Sequence, residues 1–416
     1  MNSFARRIAW AILLLRLAYF DVLEILRARS INDYGPFHAA AIAIREGLDP
    51  YSFDDLQQAA RIGRLPAVHP YFYPPLLAEL LLPATWLTAF DARLVWMVLT
   101  IASFLGAIAL LQRWLGHRDV MATTSFLVAV CALWPLRSTQ MMGQVNGMVL
   151  LLIVLWWVHR ERSPWAGGFL GLAAAIKMSP LLLVLVPLSE RRLRESLVVT
   201  GTAGGLVLGS CALLGARGMR FFGDVATGFL PGHQYHGLDV PIDLAGNHSI
   251  AALAYGIFDG AARTDPLHLS TGASIFQVCA ILALLAGVAF AVRRGATIEG
   301  RTAALVVVMI IAPTYGFEHH VAFAVLAIAL VCLLVAQGAL RTAWMWALVV
   351  ALGLLTEHEA SFVPPDWAPR GWVVLGHASK LVPLLAVYAA GLVARRGERG
   401  GGSGGGKTSP TPVRPT

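Results

Sequence analysis

The apolar residues of this chain fall into runs of about twenty, and almost every basic residue sits in a short gap between two runs. The runs lie at roughly 8–26, 93–114, 119–136, 145–159, 196–215, 274–292, 302–316, 320–336, 342–356 and 372–393. As helices, segments of this length reach across the hydrocarbon layer of a bilayer. Of 416 residues, 57% are hydrophobic and 13% charged, against nearly twice that charged share in soluble domains. The fold class expected is an all-α polytopic membrane protein.

The net charge of +8 does not indicate a nucleic-acid partner, because the basic residues are dispersed as small clusters. Arg6/Arg7, Arg113/Arg118, Arg160/Arg162, Arg191/Arg192/Arg194, Arg293/Arg294/Arg301, Arg341 and Arg395/Arg396/Arg399 are expected in the cytoplasm. Arg6 and Arg7 precede the apolar stretch Ile8–Leu26, and no small-x-small site follows it, which suggests an uncleaved anchor. Cys131, Cys211, Cys279 and Cys332 all lie inside apolar runs and read as small packing residues. The Gly, Ser and Pro of residues 395–416 predict a disordered tail behind a single membrane domain, 1–394.

Two segments decide the parity of the crossings. "YFYPPLLAELLLPATWL" (71–87) is apolar but interrupted by Pro74, Pro75 and Pro83, and would move Arg113 and Arg118 outside if it crossed. It is expected as a hairpin or juxtamembrane helix within an outer first loop, about 28–92. "AGGFLGLAAAIKMSPLLLVLVPL" (166–188) lies between two basic clusters that both belong inside, and K-M-S-P divides it. Eleven helical residues reach only about 16 Å, roughly half the hydrocarbon depth, so two short helices with Lys177 near their turn are expected. The tally is about twelve spans, both termini in the cytoplasm. A second outer loop covers about 216–273.

On this topology the unusual polar residues gather on one side. Asp33 stands at the outer mouth of the first span, either as a helix N-cap or as a functional carboxylate. Gln144 and Asn146 in "GQVNG" could each serve the backbone of a helix start. Lys177 has apolar residues on both sides, which suits an anionic phosphate or a structural ion pair. His319 and His320 lack metal-ligand spacing and fit hydrogen bonding to phosphate or sugar, or a plain helix end. His248 in "GNHSI" follows the long outer loop and could belong to a helix cap. Tyr34, Tyr71 and Tyr73 are part of an aromatic group that suits an interfacial belt or stacking on sugar rings.

Taken in order, "REGLDPY" (45–51), "YFYPPLLAELLLP" (71–83), "GQVNGMVLLL" (143–152), "GGFLGLAAAIKMSPLLLVLVPL" (167–188), "GNHSIAAL" (246–253) and "APTYGFEHHV" (312–321) resemble glycosyltransferase family 87. This is the DUF2029 group of membrane enzymes with the GT-C fold, and the resemblance covers about residues 30–330. It implies transfer of one sugar, usually mannose, from a polyprenyl phosphate lipid to a lipid-linked or glycan acceptor at the outer face of the cell membrane. Arabinofuranosyl transfer is the near alternative. Asp33 would be the catalytic base of an inverting reaction. Lys177 and His319 or His320, with His320 the better match, would hold the donor phosphate. Gln144, Asn146 and His248 would assist, and Tyr34, Tyr71 and Tyr73 would shape the acceptor cleft. No Gly-rich phosphate loop is present, and no paired carboxylates for a metal are evident, so neither cofactor nor metal is expected. Glu318 before the histidines and "TEHE" (356–359) are departures that the family resemblance does not require. A transporter or flippase would be expected to show internal repeats and charges at mid-membrane depth on several spans, and the sequence has no such repeat.

Overall fold

The computed structural model describes residues 3–28, 31–133, 135–229, 240–242, 244, 246–259, 268–340, 342–356 and 370–395. Among them the protein is helical, and the only strand-like pairing is an isolated bridge between Asn247 and Phe317. The Gly/Ser/Pro tail from residue 396 onward and the acidic residues of the "TEHE" loop lie outside the described residues.

Among the described residues four helices are long and apolar enough to cross a membrane: Ala89–Gly116, Leu193–Leu214, Thr271–Arg293 and Glu318–Ala336. Val120–Ala132 and Leu136–Met142 form a pair bent by 46°. Asn146–His159, Pro164–Ile176, Ser179–Ser189 and Ser379–Val393 are shorter apolar helices. The first apolar run is helical throughout 3–28, with a π-helical turn at Leu17–Val22.

The core lies on two central helices. Ile298–Ile311 is buried from Thr302 to Ile311, and the Glu318–Ala336 segment is 78% buried, while Thr271–Arg293 is only 17% buried. The outer helices thus present Leu197, Leu208, Leu213, Ile275, Leu282 and Phe290 outwards, as helices bathed in lipid do. Ile298–Ile311 meets Arg370–Val393 at a pair of glycines: a Cβ on Gly300 would come within 2.2 Å of the Gly391 carbonyl oxygen. Small residues let membrane helices approach this closely.

The bend before Pro135 exposes carbonyls at the end of Val120–Ala132. Arg16 of the first helix donates its guanidinium to the carbonyls of Cys131 and Leu133, satisfying them in place of the missing helical turn.

The 71–87 segment does not form a span. It folds as Pro75–Leu80 followed by a 3₁₀ turn, Leu82–Trp86, and six helical residues extend only about 9 Å. Residues 166–188 break where K-M-S-P stands. Gly167–Ile176 ends at Lys177, whose backbone is extended (φ −144°, ψ 117°), and Pro180 sits in the 3₁₀ turn Ser179–Val184. Gly167 lies against Glu195, and Gly171 against Val199 and Thr202, so this helix runs parallel to the start of Leu193–Leu214. The chain therefore doubles back between Lys177 and Arg192, and Lys177 marks the tip of a hairpin.

Candidate active site

Asp33 precedes the helix Tyr34–Arg45, yet its side chain makes no capping hydrogen bond. Its carboxylate is turned away instead. Oδ2 accepts from Gln144 Nε2 at 2.6 Å, and Oδ1 lies 3.2 Å from His69 Nε2. Burial works to raise the Asp33 pKa, but the His69 hydrogen bond, the nearby imidazoles and Gln144 outweigh it, and the carboxyl sits below its usual range. The group is ionised at neutral pH.

Gln144 is presented by a turn at Gly143, which adopts φ +75°. A Cβ there would meet the Arg93 guanidinium and the Tyr34 side chain at 3.0 Å, so both space and dihedral favour glycine. Gln144 Oε1 accepts from the Tyr73 hydroxyl at 2.7 Å, and Lys177 Nζ donates to that hydroxyl at 3.4 Å. Lys177 also donates to Asn146 Oδ1 at 2.9 Å, and Asn146 Nδ2 donates to the His319 carbonyl at 2.9 Å. Thr139 donates to the same carbonyl at 2.9 Å. Among the described residues no carboxylate forms an ion pair with Lys177; its partners are neutral oxygens.

His319 and His320 lie in a 3₁₀ turn, Glu318–Phe323, with ring centroids 4.4 Å apart at 69°. These elements enclose a cavity of about 360 Å³, within the size range of small-molecule sites. Asp33, His69, Tyr73, Gln144, Lys177, Glu318, His319 and His320 supply its polar wall; Phe37, Phe72, Met142, Met178, Leu244, Tyr315 and Phe317 supply much of the rest.

Not every sequence expectation reaches this wall. Tyr34 and Tyr71 are buried and do not line the cavity. Tyr34 packs against His38 and Trp96, while the Tyr71 hydroxyl donates to the Pro74 carbonyl and accepts from the Ala78 amide. Tyr71 thereby holds the Y-x-Y-P-P segment in place, and only Tyr73 of the three faces the cavity. His248 is also behind the wall: its Nε2 lies 2.9 Å from Glu318 Oε2, in a buried pair that Lys380 approaches to 3.8 Å. The helix cap in "GNHSI" is Ser249, which accepts from the Ala252 amide at 3.0 Å. Asn146 is buried behind Lys177 rather than on the wall.

Two wall residues with carboxylate or imidazole side chains were not among the expected site residues. Glu318 is one. His69 is the other; its only sequence signal is its place just before "PYFYPP" in a loop already marked as unusual.

A helical bundle with membrane-length apolar helices, enclosing a cavity with a carboxylate, an amine and imidazoles on its wall, defines a polar site within a membrane-type helical protein. The chain belongs to glycosyltransferase family 87, whose model matches residues 71–316. Gln144, Asn146, Lys177 and His248 fall within the match; Asp33 and His69 precede it, and Glu318, His319 and His320 follow it. A polyprenol-phosphate-mannose-dependent alpha-(1-2)-phosphatidylinositol pentamannoside mannosyltransferase of Mycobacterium tuberculosis (strain CDC 1551 / Oshkosh) is 32% identical over 175 residues, 38% of this chain and 40% of that protein. Its namesake in Mycolicibacterium smegmatis (strain ATCC 700084 / mc(2)155) is 32% identical over 155 residues, 37% of each chain. An alpha-(1->3)-arabinofuranosyltransferase of Corynebacterium glutamicum is 25% identical over 246 residues, 56% of each. The chain thus spans about two fifths of the length of the mannosyltransferases it matches. No solved structure matches it.

Proposed function

We propose that the protein transfers a single sugar, mannose first among candidates, from a polyprenyl phosphate donor to a lipid-linked or glycan acceptor. The observation that carries this reading is the uncapped carboxylate of Asp33, which faces the same cavity as the Lys177 side chain, held by neutral oxygens among the described residues, and the rings of His319 and His320. In the reaction Asp33 accepts the proton of the acceptor hydroxyl while that oxygen bonds to the anomeric carbon and the phosphate departs with the bonding electrons. Attack opposite the leaving group inverts the anomeric centre. Lys177, with His319 and His320 beside it, stabilises the charge that collects on the departing phosphate. The donor's lipid tail keeps it in the membrane, so no nucleotide-binding domain is required.

With the arginine clusters in the cytoplasm and about twelve crossings, the cavity opens on the outer face of the cell membrane. Arabinofuranosyl transfer is the second reading, favoured by the arabinofuranosyltransferase among the relatives.

Membranes containing the protein are incubated with labelled polyprenyl phosphate mannose or the corresponding arabinofuranose donor, and the lipid that acquires label is analysed. Asp33→Asn should lower transfer by about 10²–10⁴-fold while the protein still accumulates in membranes. Full activity in that variant removes Asp33 as base, and label that merely changes leaflet marks a flippase.

A further inference from the structure

Two acceptors bracket the ring of His69. Its Nδ1 lies 3.0 Å from the Pro70 carbonyl oxygen, and its Nε2 lies 3.2 Å from Asp33 Oδ1. A carbonyl oxygen can only accept, so Nδ1 carries a hydrogen. One more proton then lies between Nε2 and Oδ1. Imidazole is the stronger base, with an ordinary pKa of about 6.5 against about 3.9 for an aspartic acid, so that proton belongs to the ring. The ring is also fixed by parallel stacking on Phe72, at 8° and 6.1 Å between centroids. Its side chain is 43% exposed and forms part of the cavity wall.

We infer that His69 stands as an imidazolium and is the positioning residue of Asp33, holding one carboxylate oxygen as Gln144 holds the other. This rests on the reading of Asp33 as catalytic base. The carboxylate is gripped from two loops that are far apart in the chain, and its remaining lone pairs are free for the acceptor hydroxyl. The groups that face this pair from the surrounding elements are His319 from the 3₁₀ turn, Lys177 from the hairpin tip and Arg93 from Ala89–Gly116. All three are basic, so Asp33 is the anion that holds the proton on His69. Burial works to lower the His69 pKa, but the hydrogen bond and charge of Asp33 outweigh it and raise the pKa above its usual value.

When the ring loses its second proton, the Nε2 lone pair faces the carboxylate and the grip becomes a repulsion. The pair therefore confers an alkaline limb on the pH–rate profile, at a pH above the ordinary histidine value. Its acid limb, set by Asp33, lies below the ordinary carboxylate value.

The first test does not depend on transfer. The full-length protein is treated with diethyl pyrocarbonate, which attacks neutral imidazole, and modification of His69 is followed by mass spectrometry against exposed His117 as reference. Asp33→Asn should raise labelling of His69 several-fold near neutral pH, because one unit of lost pKa changes the neutral fraction up to about tenfold. Unchanged labelling overturns the inference. The second test compares pH–rate profiles. His69→Gln keeps a donor to Asp33 but does not titrate; it should retain at least about a third of the plateau rate, lose the alkaline limb and shift the acid limb upward. His69→Leu should lower kcat by about tenfold with donor KM altered less than about threefold. If His69→Gln keeps both limbs in place, the inference fails whether or not His69→Leu folds. Should Asp33→Asn remain active, the base assignment falls, while the labelling result still decides the charge on His69.

Discussion

Lys177 and Asp33 are joined by a one-way chain of hydrogen bonds: Lys177 donates to the Tyr73 hydroxyl, Tyr73 donates to Gln144, and Gln144 donates to Asp33. The chain fixes the orientation of the Gln144 amide, because a flipped amide would set its NH₂ against the Tyr73 proton and its oxygen against a carboxylate. Gln144→Leu deletes the link and takes the amide oxygen away from the Tyr73 hydroxyl. We expect kcat to fall by about tenfold or more with little change in donor KM, as for a group that orients the base instead of binding the donor. Steady-state kinetics with varied donor would show it; a wild-type rate would remove the chain from the mechanism.

Lys177 should act on the donor. Its ammonium is buried against Asn146 and Tyr73, with no carboxylate partner among the described residues. A desolvated cation without a counter-ion gains most from a phosphate that comes into contact with it. Lys177→Gln keeps a donor and removes the charge. It should raise donor KM by about tenfold or more while acceptor KM stays within about twofold. The opposite pattern would assign the lysine to the acceptor side.

Chelators should leave the enzyme active. Both carboxylates on the cavity wall are already engaged, Asp33 by His69 and Gln144 and Glu318 by His248. Among the described residues no group of three or more His, Cys, Asp or Glu could hold a metal ion. EDTA is expected to change the initial rate by less than about twofold, since the proposed reaction rests on a carboxylate base and side-chain donors alone. Loss of activity restored by Mg²⁺ or Mn²⁺ would reveal a site formed only with substrate.

The membrane character and the break at Lys177 were legible in the sequence because each follows from local rules, hydropathy over a span and proline after a short helix. The order of the motifs also pointed to Asp33, Gln144, Lys177 and the two histidines as one group. What sequence could not supply is which way a side chain turns. Asp33 occupies a capping position and does not cap, a choice made by His69 and Gln144, 36 and 111 residues distant. Tyr71 and Tyr73 are two residues apart, and only one of them faces the cavity. His248 reads as a ligand of the cavity until Glu318, 70 residues further on, takes it up. His69 carried no pattern of its own, since an exposed loop histidine has many bland uses.

The packing of the buried helices can be tested apart from the chemistry. The buried helix Ile298–Ile311 crosses Arg370–Val393 with almost no separation, and a Cβ on Gly391 would stand 2.4 Å from the Gly300 carbonyl oxygen. Backbone on both sides leaves no flexible side chain to move aside. Gly391→Ala should therefore force the helices apart, costing roughly 1–3 kcal/mol as overpacked cores do. Gly204, inside Leu193–Leu214, has nothing within 4 Å of its virtual Cβ. There the same substitution loses no packing and gains helix propensity of up to about 1 kcal/mol. Thermal unfolding in detergent should place Gly391→Ala several degrees below wild type and Gly204→Ala at or slightly above it, a rough expectation from such energies. Equal midpoints for the two variants would mean that Gly300 and Gly391 do not form the tight crossing on which the central helix depends.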